Sequence, residues 1–159
     1  MPWLALIGLL FASVAAGETY AGRVVRVADG DTITLLDQSM VQHKVRLAGI
    51  DAPEKRQPFG QVSRRHLTSL VANKTVTIET TKRDRYRREV GKVVVGGRDV
   101  NLAQLEAGLA WHYRRYAHEQ PYADRLEYAA AEAVAREARE GLWVDAQPVP
   151  PWEYRHRRP

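Results

Sequence analysis

The stretch YAGRVVRVADGDTITLLDQSMVQHKVRLAGI, residues 20–50, decides the fold. Residues 20–27 and 32–36 are rich in Val, Ile, Thr and Tyr, whose branched or aromatic side chains pack well on a pleated sheet. Asp29-Gly30 lies between them as a turn signal, so the two runs predict the strands of a hairpin. Residues 41–50 then alternate. Val41, Val45 and Leu47 point one way while Gln42, Lys44 and Arg46 point the other, which predicts a third strand.

Downstream, Val62, Leu67, Leu70 and Val71 recur at helical spacing after Phe59, and Asn73 suits a left-handed cap, so a first helix is expected there. Residues 74–79 and 90–95 resume the strand pattern, with Gly96-Gly97 as the breaker. Asn101 followed by Gln104 reads as a capping box and Gly108 as a stop, giving a short helix over 102–107. A last helix over 122–140 carries Tyr122, Leu126, Ala129, Ala130, Ala133 and Val134 on one stripe, the face expected to dock, and Gly141 ends it. Pro148, Pro150 and Pro151 are expected to exclude regular structure from the tail, which Trp143 and Trp152 can pin to the body. Five strands with a helix between the third and fourth, then two helices, make an α+β chain in the order of an OB-fold five-stranded β-barrel with three α-helices.

The chain has 159 residues and no cysteine, which excludes a disulfide scaffold, a Cys-ligated zinc module and an iron–sulfur protein. Its size suits one domain. The net charge of +5 is modest but local: Lys82, Arg83, Arg85, Arg87, Arg88 and Lys92 share one short segment, as suits a polyanionic partner. At the N-terminus, WLALIGLLFASVAA has no charge and ends in small residues, so residues 1–17 read as a secretory signal peptide, with an uncleaved membrane anchor as the alternative. The expected compartment is therefore secreted or periplasmic. The folded domain is expected over 18–145 and a Pro/Arg-rich tail over 146–159, where Arg155, Arg157 and Arg158 either extend the basic field or solubilise the tail.

Chemistry is suggested by acids and arginines at strand ends and turns. Asp29 and Asp31 flank Gly30, Arg46 lies in VRLAGIDAPE, and Asp51 and Glu54 close that stretch. If these turns adjoin, each pair of carboxylates about 4 Å apart costs on the order of 4 kcal/mol at an effective dielectric near 20, and such a cluster calls for a cation. Oxygen donors favour a hard ion, calcium first and magnesium second. Arg46 and one arginine of the 85–88 group could clamp a phosphodiester, and Glu54 or an aspartate could take a proton from water. An ideal strand puts Arg46 and Asp51 on opposite faces, so one site for both requires a bend, for which Gly49 is the natural place.

The ordered set ADGDT, VRLAGIDAPE, KTVTIE, DRYRREVGKV, VNLAQLEAGLAW and GLW resembles the staphylococcal nuclease (thermonuclease) family along nearly the whole chain after the leader. The resemblance implies the OB-type barrel, dependence on Ca2+, and endonucleolytic hydrolysis of single-stranded DNA and RNA to 3′-phosphate ends. It implies no protein partner, and a monomer is expected. It assigns Asp31, Asp51 and the backbone carbonyl of Ala52 to the calcium ion, with Asp29 behind them. Arg46 and Arg88 match the phosphate-binding arginines and Glu54 the carboxylate proposed as general base. The family's Tyr-Gly-Arg triplet is Tyr86-Arg87-Arg88 here, so Arg87 stands where glycine is usual and pays a steric penalty of about 1–2 kcal/mol if the backbone is left-handed. Lys82, Arg83, Arg85 and Arg87 would track the nucleic-acid backbone. Tyr86 and Tyr116 would contact the nucleotide, or serve only as half-buried surface aromatics. A non-catalytic OB module that binds single strands is the competing reading.

Overall fold

The computed structural model describes residues 17–157. The leader read in residues 1–17 and Arg158 thus lie, apart from Gly17, outside the described residues. Among those described, no helix is long and apolar enough to cross a membrane.

The hairpin and third strand form: β1 (Thr19–Asp29), β2 (Thr32–Leu36) and β3 (Gln42–Leu47) run antiparallel in sequence, but the third is shorter than the expected 41–50, with Val41 outside it and exposed and the chain turning after Leu47. β1 also pairs with β5 (Thr75–Arg83), and β5 with β6 (Glu89–Val95). A parallel seam between β3 and β6, with Val45 opposite Glu89 and Leu47 opposite Gly91, closes these five strands into a barrel. The middle of the barrel is filled by apolar side chains from every strand: Val24, Ile33, Leu35, Val45, Leu47, Val76, Ile78 and Val93 are all buried. Val24 and Val27, three apart, both point inward because β1 slips register between Val24 and Arg26, where a bulge reverses the parity. The short strands β4 (Ile50–Asp51) and β8 (Trp111–His112) pair outside the barrel, and β7 (Arg98–Asp99) extends its β6 edge.

Helix α1 (Gly60–Val71) buries Ser63, Leu67 and Val71, and Asn73 after it is left-handed as expected. Helix α2 (Val100–Glu106) departs from the capping-box reading. Its cap is Asp99, whose Oδ1 accepts from Leu102 N at 3.0 Å. Asn101 is instead fully buried, accepting from Val93 N (3.1 Å) and donating to the carbonyls of Ala48 (3.0 Å) and Gly91 (3.1 Å), which ties α2 to the β3 exit.

Helix α3 (Tyr122–Glu137) docks by a different face from the one its apolar stripe suggests. Tyr128, Glu132 and Ala135 are buried, whereas Tyr122, Leu126 and Val134 are exposed. Hydrogen bonding decides it. Tyr128 donates to Asp99 Oδ2 at 2.7 Å, and the Glu132 carboxylate accepts from His112 N at 2.6 Å while pairing with Arg114 and Arg136. The prolines also fail to exclude structure: Pro151 occupies the first turn of a short helix α4 (Pro151–His156), where a missing N–H costs nothing. The tryptophans pin this segment as expected. Trp152 stacks on Tyr113 (centroids 5.5 Å apart, planes at 5°) and meets Trp111 edge-on at 5.5 Å, while Trp143 packs on Trp111 at 4.5 Å.

Candidate active site

The β1–β2 turn presents the first acids. Gly30 is required there by a close approach and not by its own torsions, since a Cβ on it would come within 1.9 Å of Ser63 Oγ on α1 and 2.8 Å of Ala52 Cβ. Asp29 Oδ1 accepts from Asp31 N at 3.1 Å, which folds the two acids over each other. The second group arrives through a reversal after β3, where Gly49 (φ 76°) supplies the bend that strand parity demands. Arg46 holds that reversal: its Nη1 donates to the carbonyls of Leu47 (3.0 Å) and Ile50 (2.8 Å), and its Nη2 to Asp51 Oδ1 at 3.0 Å. Arg46 Nη1 also lies 3.3 Å from Asp31 Oδ2, and Ala52 N donates to that same oxygen at 2.7 Å. Two turns far apart in sequence thus meet around one guanidinium.

Glu54 follows in a loop fixed by Gln57, whose N donates to Glu54 O at 2.8 Å and whose Oε1 accepts from Glu54 N at 3.0 Å. Its partner comes from a distant part of the chain. Arg155 of α4 reaches across, with Nη1 2.8 Å from Glu54 Oε1 and 3.2 Å from Asp51 Oδ1, and Nη2 2.9 Å from Asp51 Oδ2. It lies 104 positions from Asp51, and nothing in the local pattern of a Pro/Arg-rich tail singles it out.

Burial works against ionisation of the acids here. Burial, then the neighbouring charge of Asp31, pushes the Asp29 carboxyl up to about 7. Burial also raises Asp51, against the opposing pull of Arg46 and Arg155. Arg46 is largely buried, which would lower it, but Asp31, Asp51 and Asp29 together hold its charge more firmly than usual. Among the described residues no three His, Cys, Asp or Glu side chains form a ready metal-binding group; the oxygens of Asp31 and Asp51 are engaged by Arg46, Arg155 and the Ala52 amide. The donor chemistry nevertheless suits a hard dication. Asp31 and Asp51 offer only oxygens, and Asp29 stands behind Asp31 as a further acid.

These groups line one open groove of about 1360 Å³. Its other wall is the β5–β6 hairpin. There Asp84 accepts from Tyr86 N (2.9 Å) and Arg88 N (3.0 Å), and its second oxygen accepts from Arg88 Nε at 2.8 Å. Arg87 is left-handed at φ 62°, the conformation for which glycine is suited. Asp29, Asp31, Arg46, Asp51, Ala52, Glu54, Lys82, Arg83, Arg85, Tyr86, Arg88 and Tyr116 all line the groove, and Arg87, exposed at the hairpin tip, does not. Tyr86 is flanked by Arg85 and Arg88 at 5.0 and 5.4 Å from its ring centre, and Tyr116 by Lys82 and Arg115 at 4.8 and 5.8 Å. Lys82 is additionally paired with Glu119 at 2.5 Å. Tyr113, half-buried beneath Trp152, is a groove residue that the sequence reading did not single out.

Comparison with known proteins places the chain in a family. Residues 44–145 match the model of the staphylococcal nuclease homologue family. An uncharacterized endonuclease of Escherichia coli is 47% identical over 138 residues, covering 86% of each chain. An uncharacterized endonuclease of Haemophilus influenzae is 39% identical over 91% of this chain and 78% of its own, and a micrococcal nuclease of Shigella flexneri is 38% identical over 92% and 87%. The matched span and these identities together establish that the chain belongs to the staphylococcal nuclease homologue family.

Proposed function

We propose that the chain is an exported, calcium-dependent endonuclease that hydrolyses phosphodiester bonds of single-stranded DNA and RNA and leaves 3′-phosphate ends. Family membership, and relatives named as endonucleases and a micrococcal nuclease, support phosphodiester hydrolysis. The observation that carries the finer reading is the meeting of Asp31 and Asp51 around Arg46, at 3.3 and 3.0 Å, beside Glu54 in a groove walled by cations and tyrosines. The apolar leader supports export, as a secreted or periplasmic protein.

Calcium bound between the acids would supply positive charge opposite the phosphate and a polarised water. Asp31 and Asp51 would hold it, with the carbonyl of Ala52 as a further oxygen and Asp29 deepening the negative field behind them. The remaining work falls to the chain's own groups. Arg46, locked by two carbonyls, offers a guanidinium that needs no reorganisation when charge builds on the phosphoryl oxygens. Arg88, held at Nε by Asp84, approaches from the facing wall. Glu54 accepts a proton from the water that attacks phosphorus, the bond to the 5′-oxygen breaks in line, and that oxygen takes a proton from solvent to leave as the 5′-hydroxyl. Tyr86 and Tyr116 suit base stacking without sequence preference, while Lys82, Arg83 and Arg85 follow the phosphates. The bases must be unpaired to reach such rings, which favours single strands.

The test is release of acid-soluble nucleotides from heat-denatured DNA and from RNA, with calcium and with chelator. Release with calcium and its loss with chelator is the expected result. Undiminished release in chelator overturns the calcium reading, and binding without cleavage in calcium selects the non-catalytic module instead.

A further inference from the structure

Arg155 stands where the proposed cation must bind. It takes both oxygens of Asp51, at 3.2 and 2.9 Å, and one of Glu54, at 2.8 Å, so a single guanidinium neutralises one proposed metal ligand and the proposed base together. Asp51 is buried and already takes two guanidinium groups: Arg46 shares Oδ1 at 3.0 Å, while Arg155 alone holds Oδ2. A dication that ligates Asp51 Oδ2 meets the charge of the guanidinium already there, so its binding favours withdrawal of one of the two arginines. Arg46 cannot leave cheaply, because two carbonyls and Asp31 also hold it and only 13% of its side chain is exposed. The Arg155 side chain is 40% exposed on a six-residue helix. That helix is attached by Trp152, which stacks on Tyr113 and meets Trp111 edge-on, by buried Pro151, and by the Gln57 Nε2 to Val149 O hydrogen bond (2.6 Å) just before it.

We propose that Arg155 sets the affinity of this site for its cation: it competes for Asp51 and Glu54, and α4 releases its hold on them when calcium binds. The inference rests on the calcium reading above. Its logic is mass action, since a ligand that binds only the unlatched form shows an affinity reduced by the unlatched fraction. Like-charge repulsion adds to the exclusion, because a guanidinium on Asp51 would lie within a few ångströms of the dication. Arg155 also has a benefit in the cation-free protein: it supplies part of the positive charge that the acids lack and keeps Glu54 and Asp51 in register.

The experiment is calcium titration of the full chain by calorimetry, with amide hydrogen exchange of residues 149–157 as a second readout that does not depend on activity. Arg155→Gln is expected to bind calcium roughly five- to tenfold more tightly than the wild type, as expected for a latch closed most of the time. Arg155→Lys, a point charge that cannot fork across both oxygens, should fall between them. Arg157→Gln, which loses only a pair with Glu153 on its own helix, should match the wild type. Calcium should accelerate exchange in residues 149–157 of the wild type, and Arg155→Gln should exchange fast without it. Equal or weaker calcium binding by Arg155→Gln overturns the competition while leaving the calcium reading intact. Absence of binding by wild type and variant alike overturns both.

Discussion

Two groups of acids and cations sit on the same barrel, and they shift in opposite directions. Where β3 meets β6, His43 bridges Asp37 Oδ2 at 2.8 Å and Glu89 Oε1 at 3.0 Å, Arg83 adds a contact to Glu89 at 3.1 Å, and the Tyr20 hydroxyl donates to the other Glu89 oxygen. Asp37 is held below the ordinary carboxylate range, chiefly by its bond to His43. Burial would raise Glu89, but its donors outweigh that and hold it low as well. In the groove, burial prevails at Asp29 and Asp51 and both are raised. Similar side chains make a finished structural clip in one place and an unfinished charge pattern in the other. Where burial outweighs the donors, as at Asp29 and Asp51, ionising the acids costs the fold, and a cation bound to them would offset that cost.

The largest effects are expected where the unfinished cluster is broken. Arg46→Ala and Arg88→Ala should each lower turnover on denatured DNA by about 10²–10³-fold, and Glu54→Gln by about 10²–10⁴-fold, read as initial rates with calcium present. Wild-type rates in any of these would remove that residue from the proposed machinery.

At the finished clip, the effect should be on stability alone. Hydrogen bonds to Asp37 and Glu89 raise His43 above its usual 6.5 although burial opposes them. A base whose pKa is raised by folding contributes stability fully below its unfolded value and loses it as pH climbs through the folded value. His43→Gln should therefore cost about 1–2 kcal/mol at pH 5.5 and clearly less at pH 9, measured by urea unfolding in chelator. An equal cost at both pH values would contradict the assignment of charge to His43.

The smallest effect sharpens the groove's far wall. Arg87→Gly should raise stability by about 0.5–1 kcal/mol, because glycine relieves the left-handed strain while adding freedom to the unfolded chain. A lower urea midpoint for this variant would mean that the Arg87 side chain contributes more than its backbone costs.

Much of this was readable from residue types. Period-two alternation gave the barrel strands, since a sheet with one buried face leaves that imprint, and the bend at Gly49 followed from the conflict between Arg46 and Asp51 on one strand. The special conformation of Arg87 was legible through the triplet it occupies. Other features left weaker traces. The β1 bulge alters parity without altering composition. The docking face of α3 was hidden because it is anchored by polar groups, Tyr128 and Glu132, whose burial depends on partners in α2, β7 and β8 that only folding brings near. Asn101 looked like a cap because a buried amide that bonds across three elements has the same letter as one that caps a helix. Arg155 was the least legible. A side chain on a proline-rich tail reaches Asp51 only because Trp152 finds Tyr113 and Trp111, an encounter that no periodicity encodes.

The most direct test is thermal unfolding with and without calcium, comparing the wild type with Asp31→Asn and with Asp37→Asn. Calcium at about a hundred times its dissociation constant should stabilise the wild type by about 2.7 kcal/mol. Asp37→Asn, altered in the clip, should keep that increment, and Asp31→Asn, altered in the groove, should lose it. An increment that survives Asp31→Asn, or that disappears with Asp37→Asn, would contradict the claim that the groove acids hold the cation.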